Sequence, residues 1–185
     1  MKTIKIIVAL VLATSLSSCQ FDFHTGINGN GNVVTEERPV SNDFTEVKGS
    51  TGLDVYLTEG TENKIVVEAD ENLMKLIETN ISNGKLTIRS SKNIGRSKAK
   101  KIHVTYVRLN KIEASSGSDV IGSSVIKSQT LSLNCSSGAD IEVEVFANEL
   151  YAETSSGADI EVSGKTNIFH ANASSGSDLD ARKLQ

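Results

Sequence analysis

The chain has 185 residues, 19 basic and 23 acidic, for a formal net charge of −4. A mildly acidic chain is a poor polyanion binder overall, which argues against nucleic acid as a partner. Aromatic residues make up 4% with no Trp, which argues against a large hydrophobic ligand groove.

Lys2 and Lys5 precede the apolar run Ile6–Ala13, which is too short to span a bilayer. Residues 1–18 have the pattern of an export signal. Leu16-Ser17-Ser18-Cys19 resembles a bacterial lipobox, which implies that Cys19 becomes the lipidated first residue of the mature chain. Gln20 follows it rather than Asp, so inner-membrane retention is not signalled. The expected location is the outer membrane, facing either the periplasm or the outside. Removing Lys2 and Lys5 leaves 17 basic against 23 acidic residues, a net charge of about −6. The second cysteine, Cys135, falls at an inward position and is expected to be an inert core thiol.

Residues 19–32 end in Gly29-Asn30-Gly31-Asn32 and have the composition of a flexible tether. Residues 33–185 are expected to form one domain, with an irregular half over 33–110 and a regular half over 111–185. Val33-Val34-Thr35 begins the first predicted strand, and Lys64–Ala69 forms another. Asp70 is placed to N-cap a short helix over Asn72–Glu78. Asn83-Gly84, between Ile81 and Leu86-Thr87-Ile88, predicts a hairpin. Residues 90–101 form a basic loop with Lys92, Arg96, Lys98, Lys100 and Lys101, suited to anionic lipid or polysaccharide or simply to solvent. Ile102–Val107 is a further strand.

Ser-Ser-Gly-(Ser/Ala)-Asp then recurs at Ser115–Asp119, Ser136–Asp140, Ser155–Asp159 and Ser174–Asp178, at intervals of 21, 19 and 19 residues. Ser50–Asp54 is a degenerate copy. Alternating apolar residues flank each motif, the pattern of strands with one buried face. The glycines Gly52, Gly117, Gly138, Gly157 and Gly176 mark corners needing a positive φ. Ser and Asp beside them are expected to close the corner by bonding to backbone. Ala114, Cys135, Thr154 and Ala173 share a narrow inward column. Units that cannot bury a face alone do so by stacking, so the expected all-β architecture is a parallel β-helix or β-solenoid with coils of 19–21 residues. An antiparallel sandwich is the competitor. The chain stops seven residues after Asp178, whereas earlier units run on for about fifteen. The expectation is therefore a truncated chain, or an end capped by another part of the molecule or by a partner, including a second copy.

Stacked in register, Asp119, Asp140, Asp159 and Asp178 form a carboxylate column. Neighbours about 4.8 Å apart repel, and a Ca²⁺ ion would relieve this. The plainer alternative is a solvated corner aspartate and no cofactor. Glu113, Glu142, Glu144, Glu153 and Glu161 outline a second acidic strip on the outward faces. His24, His103 and His170 have no shared ligand spacing, which predicts no zinc site. Each Asp of the repeat sits in the same structural slot, and no repeat breaks pattern to present an acid beside a base, so no enzyme activity and no catalytic residues are expected.

The segments Gly29–Val34, Phe44–Val47 with Gly52–Val55, Asn83–Leu86 and the four corner motifs resemble the auto-transporter adhesin "head GIN" domain family of exported Bacteroidetes proteins. The resemblance covers about residues 29–185. It implies a right-handed β-helix-like stack, no assigned activity and no catalytic residues to carry over. Two functions follow: a non-enzymatic lipid-anchored envelope protein presenting a rigid surface for adhesion, for glycan or protein binding or for envelope assembly, or alternatively a glycan-active enzyme or ligand sensor. The expected partners are the membrane through Cys19 and a polysaccharide or envelope protein.

Overall fold

A computed structural model describes residues 26–185. The signal segment, Cys19, His24 and the first part of the expected tether lie outside these residues. The strands are β1 (Val33–Arg38), β2 (Glu46–Gly49), β3 (Asp54–Glu59), β4 (Lys64–Asp70), β5 (Ile77–Ser82), β6 (Lys85–Ser90) and β7 (Lys100–Tyr106). They continue with β8 (Lys111–Ser115), β9 (Asp119–Gly122), β10 (Ile126–Ser136), β11 (Asp140–Ser155), β12 (Asp159–Ala173) and β13 (Asp178–Leu184). All thirteen belong to one sheet, in the order β1-β4-β7-β3-β9-β11-β10-β8-β2-β6-β5, with β12 beside β11 and β13 beside β12.

The expected right-handed parallel β-helix is corrected here: the sheet is a nearly closed barrel of mixed strand orientation. Pairs β1–β4, β4–β7 and β5–β6 are antiparallel. Parallel, in-register pairs are confined to the remaining ladders, such as β8–β10, β10–β11, β11–β12 and β12–β13. The repeat reports only those local ladders. The strands of the irregular half carry the same two-residue alternation, and alternation alone does not set strand direction.

Strand β11 joins the two flanks of the sheet. Asp140–Glu142 pair with β9 on one flank, and Val145–Ser155 pair with β10 on the other. Between the flanks lies a continuous core that includes Leu53, Val55, Ile112, Leu133, Ile141 and Ile160, each at most 1% exposed.

Five corners cross from one flank to the other. Their glycines have φ between 64° and 72°. The residue before each glycine is also left-handed: Thr51, Ser116, Ser137, Ser156 and Ser175 have φ of 55–61°. Two successive left-handed residues turn the chain sharply, and only the second position is glycine. The corners are piled in a file: Gly52 N–H donates to the Ser116 carbonyl, Gly117 to Ser137, Gly138 to Ser156 and Gly157 to Ser175, at 3.0–3.3 Å.

Each of the four regular corners is closed by one inward hydroxyl or thiol. In the first and fourth it follows the glycine: Ser118 Oγ donates to the Ser115 carbonyl and Ser177 Oγ to the Ser174 carbonyl. In the second and third it precedes the glycine: Cys135 Sγ donates to the Ala139 carbonyl and Thr154 Oγ1 to the Ala158 carbonyl. The facing position is alanine in each case (Ala114, Ala139, Ala158, Ala173). The corner thus takes its internal donor from one of these two facing positions, not from the aspartate. Ala114, Cys135 and Thr154 are buried, whereas Ala173 on the uncovered edge of β12 is exposed.

The Asn83-Gly84 hairpin forms as expected between β5 and β6, with φ of 52° and 76° at its two turn residues. The helix over Asn72–Glu78 is corrected to a short 3₁₀ helix, Glu71–Leu76, because Ile77 already enters β5. Asp70 makes no side-chain cap to it. Its carboxylate instead accepts the backbone N–H groups of Gly31, Lys98 and Ala99 at 2.8–3.0 Å. Burial pushes the Asp70 carboxyl up, but the Gly31, Ala99 and Lys98 donors outweigh it and leave its pKa below the usual carboxylate value.

Asp70 also explains residues 26–32, which were expected to belong to a tether. Ile27 N–H donates to the Asn93 carbonyl and Gly29 N–H to the Arg96 carbonyl. Gly29 is held so close to the Asp70 carboxylate that a Cβ there would overlap it.

Candidate functional site

Parallel in-register pairing makes every outward position of one strand the neighbour of its equivalent on the next. Three files result. The first is acidic: Asp54, Asp119, Asp140, Asp159 and Asp178 occupy one register across β3, β9, β11, β12 and β13. The structure thus brings the four sequence-selected aspartates together and adds Asp54. Burial raises the Asp119 pKa, reinforced by the charges of Asp54 and Asp140 and opposed by Lys100. Lys100 reaches the Gly52 carbonyl and lies 3.6 Å from Asp54, so the basic loop supplies part of the file's counter-charge. Among the described residues, no group of three or more His, Cys, Asp or Glu side chains is arranged to hold a metal ion.

The expected glutamate strip divides between the two flanks. Glu142 and Glu161 are paired neighbours on the flank shared with β9, whereas Glu113 and Glu153 lie at the register of Asn134 on the other flank. Burial pushes the Glu113 carboxyl up, but hydrogen bonds from Lys111 and Lys85 outweigh it and hold the pKa low. The histidines are also apart. His103 on β7 stacks with Tyr56 and meets Glu68 at 3.2 Å, and His170 on β12 stacks with Tyr151 at 4.6 Å between centroids. Cys135 is buried, and its thiol is pushed up to about 12 by burial and by the charges of Asp140 and Asp159, so it carries no thiolate chemistry near neutral pH.

The second and third files were not picked out in the sequence. Lys127 on β10, Phe146 on β11 and Lys165 on β12 share one register. Two residues further along, Gln129, Asn148 and Asn167 form an amide file, with Asn167 Nδ2 donating to Asn148 Oδ1 at 3.0 Å. Arg108 and Asn110 join them from the turn before β8. These residues line an open groove of about 1090 Å³. Its floor includes Leu109 and Ala147, and the Phe146 ring is 60% exposed. The lining carries three cations and, among the described residues, no Asp or Glu side chain. Lys127 pairs with Glu59 from outside the lining at 2.9 Å. The signal was present in the sequence as the nineteen-residue spacing of 127, 146 and 165. An alignment made on the glycines passes over it.

The fold and its files define a class: an all-β repeat domain that displays the same outward position again and again along one direction. The chain belongs to the family described as "Putative auto-transporter adhesin, head GIN domain", whose model matches residues 43–185. Among curated proteins no sequence matches it. Solved structures do. A putative adhesin from Parabacteroides distasonis ATCC 8503 is 18% identical, with a TM-score of 0.67 over 86% of this chain and 77% of that one. A putative lipid binding protein from the same organism is 21% identical, with a TM-score of 0.64 over the same shares. A putative adhesin from Bacteroides fragilis NCTC 9343 is 17% identical, with a TM-score of 0.58 over 84% of this chain and all of that one. At these identities the likeness shows the fold. The family's description is that of an adhesin-like domain.

Proposed function

We propose that this chain is a non-enzymatic adhesin-like protein of the cell envelope, held at the outer membrane by lipid on Cys19. Its rigid stack of strands serves as a surface for attachment. The observation that carries this reading is the in-register repetition of outward side chains, seen in the aspartate file and in the file through Lys127, Phe146 and Lys165. A surface that repeats every strand, about 4.8 Å, suits an extended partner that itself repeats. Catalysis would need an acid, base or nucleophile set apart from its equivalents, and the acids of the aspartate file stand in repeated slots.

The test is attachment of cells that carry or lack the gene to surfaces coated with envelope or host polysaccharide or protein. Loss of attachment on deletion, with recovery by the intact gene, supports the reading. Unchanged attachment, or turnover of a glycan by the purified protein, overturns it. The anchor is tested separately: Cys19→Ser should abolish incorporation of labelled palmitate and release the protein from the membrane fraction.

A further inference from the structure

We infer that the groove along Arg108, Lys127, Phe146 and Lys165 binds a carboxylate-bearing polysaccharide strand. This rests on the adhesin-like reading and adds to it the place and the chemistry of the partner.

Four observations carry it. First, the groove is a cationic lining on an acidic chain, and so a local reversal of sign. Among the described residues, neither Arg108 nor Lys165 has an ion-pair partner, whereas Lys127 has Glu59. An unpaired guanidinium facing an open groove is suited to a two-point bond with a carboxylate.

Second, the amides of Gln129, Asn148 and Asn167 run parallel to the charged file, two residues away. Each amide offers both donors and an acceptor, the match for vicinal hydroxyls. Third, Phe146 lies at the register of the two lysines with its ring open to solvent. An exposed ring among polar groups offers a flat apolar face for the C–H face of a pyranose. Fourth, the groove runs across the strands, and each rung sets a cation or the ring beside an amide: Lys127 with Gln129, Phe146 with Asn148 and Lys165 with Asn167. A glycan strand presents carboxylates, hydroxyls and ring faces in repetition too.

Other anionic partners fit less well. A nucleic acid would meet three cations on a chain of net charge −4, too few to offset the general repulsion. A lipid acyl chain needs an enclosed apolar cavity, and this groove is open and edged with amides.

The experiment is binding of the purified full chain to polygalacturonate at low and moderate salt. Dextran serves as the neutral polymer, and vesicles containing phosphatidylglycerol as the anionic lipid surface. The expected result is binding to polygalacturonate that weakens with salt, with little binding to dextran or vesicles. The double variant Arg108→Gln/Lys165→Gln should lose roughly tenfold or more in affinity, because hydrogen bonds to charged groups are the stronger kind. Phe146→Ala should lose several-fold. Lys64→Gln/Lys75→Gln, the same loss of two positive charges outside the groove, should leave affinity unchanged. Circular dichroism melts confirm that the variants fold.

Three outcomes overturn the inference: no polygalacturonate binding, binding indifferent to the groove variants, or a preference for vesicles. The attachment assay separates the two readings. Cells that attach normally with the groove variants refute this site and leave the adhesin-like role standing, whereas attachment that never depended on the gene refutes both.

Discussion

The two halves of the sheet are held by different means. From Lys111 onward, each corner repeats one small solution: two left-handed residues, a backbone bond to the next corner, and one inward hydroxyl or thiol. Before Lys111 the chain relies on contacts made once. The Asp70 carboxylate ties Gly31 to Lys98 and Ala99 in the loop leading to β7. Repetition spreads stability over many equal contributions, so damage at one rung should be tolerated. A unique buried carboxylate concentrates it.

Asp70→Ala should therefore cause the largest loss. It would leave three backbone donors without their acceptor, and the melting temperature should fall further than for any single corner change. The pH dependence has a definite sign. The folded pKa of Asp70 is lowered, so its contribution is complete above the unfolded carboxylate value and is lost as pH falls through the folded one. Asp70→Asn should flatten that acid limb of the stability curve, and an unaltered limb would refute the role given to Asp70.

Gly138→Ala comes next, at about 1–2 kcal/mol. It forces a Cβ into the left-handed region although the space beside it is open. Denaturant titration measures it, and equal effects at Gly117 and Gly157 would sharpen the idea of equivalent rungs. Thr154→Ala should cost about 1 kcal/mol through loss of its bond to the Ala158 carbonyl. The double change Thr154→Ala/Ala158→Ser rewrites the third corner in the pattern of the first and should recover most of the loss. If the second substitution gives no recovery, the interchange of donor positions is incidental.

Asp119→Asn is the smallest, a gain of a few tenths of a kcal/mol at neutral pH. The raised folded pKa means that Asp119 favours the fold below its unfolded value and that this advantage disappears as pH rises through the folded one. The gain should vanish in acid.

The legible part of this fold follows from the same contrast. Glycine corners at fixed spacing are visible because a positive φ restricts the residue type, and the Asn83-Gly84 turn is visible for the same reason. The antiparallel pairing of β1 and β4, and of β4 with β7, was beyond reach. Lys64–Ala69 alternates like any half-buried strand, and nothing in it specifies a reversed partner such as β7. Asp70 resembled a helix cap because its three actual partners are 28 to 39 residues away. The aspartate file was legible by period. The groove has that period as well, but its residues vary in type along the file, and only the pairing of Lys127 with Phe146 and of Phe146 with Lys165 makes them neighbours.

Strand β11 has a mechanical corollary. Its 16 residues bond to β9 with one end and to β10 with the other, while β12 covers most of its length. It acts as a seam through both walls. Neither wall can unzip past it alone, so amide exchange along β11 should be the slowest in the molecule, and a load borne anywhere on the repeat must shear both ladders together before the chain gives way.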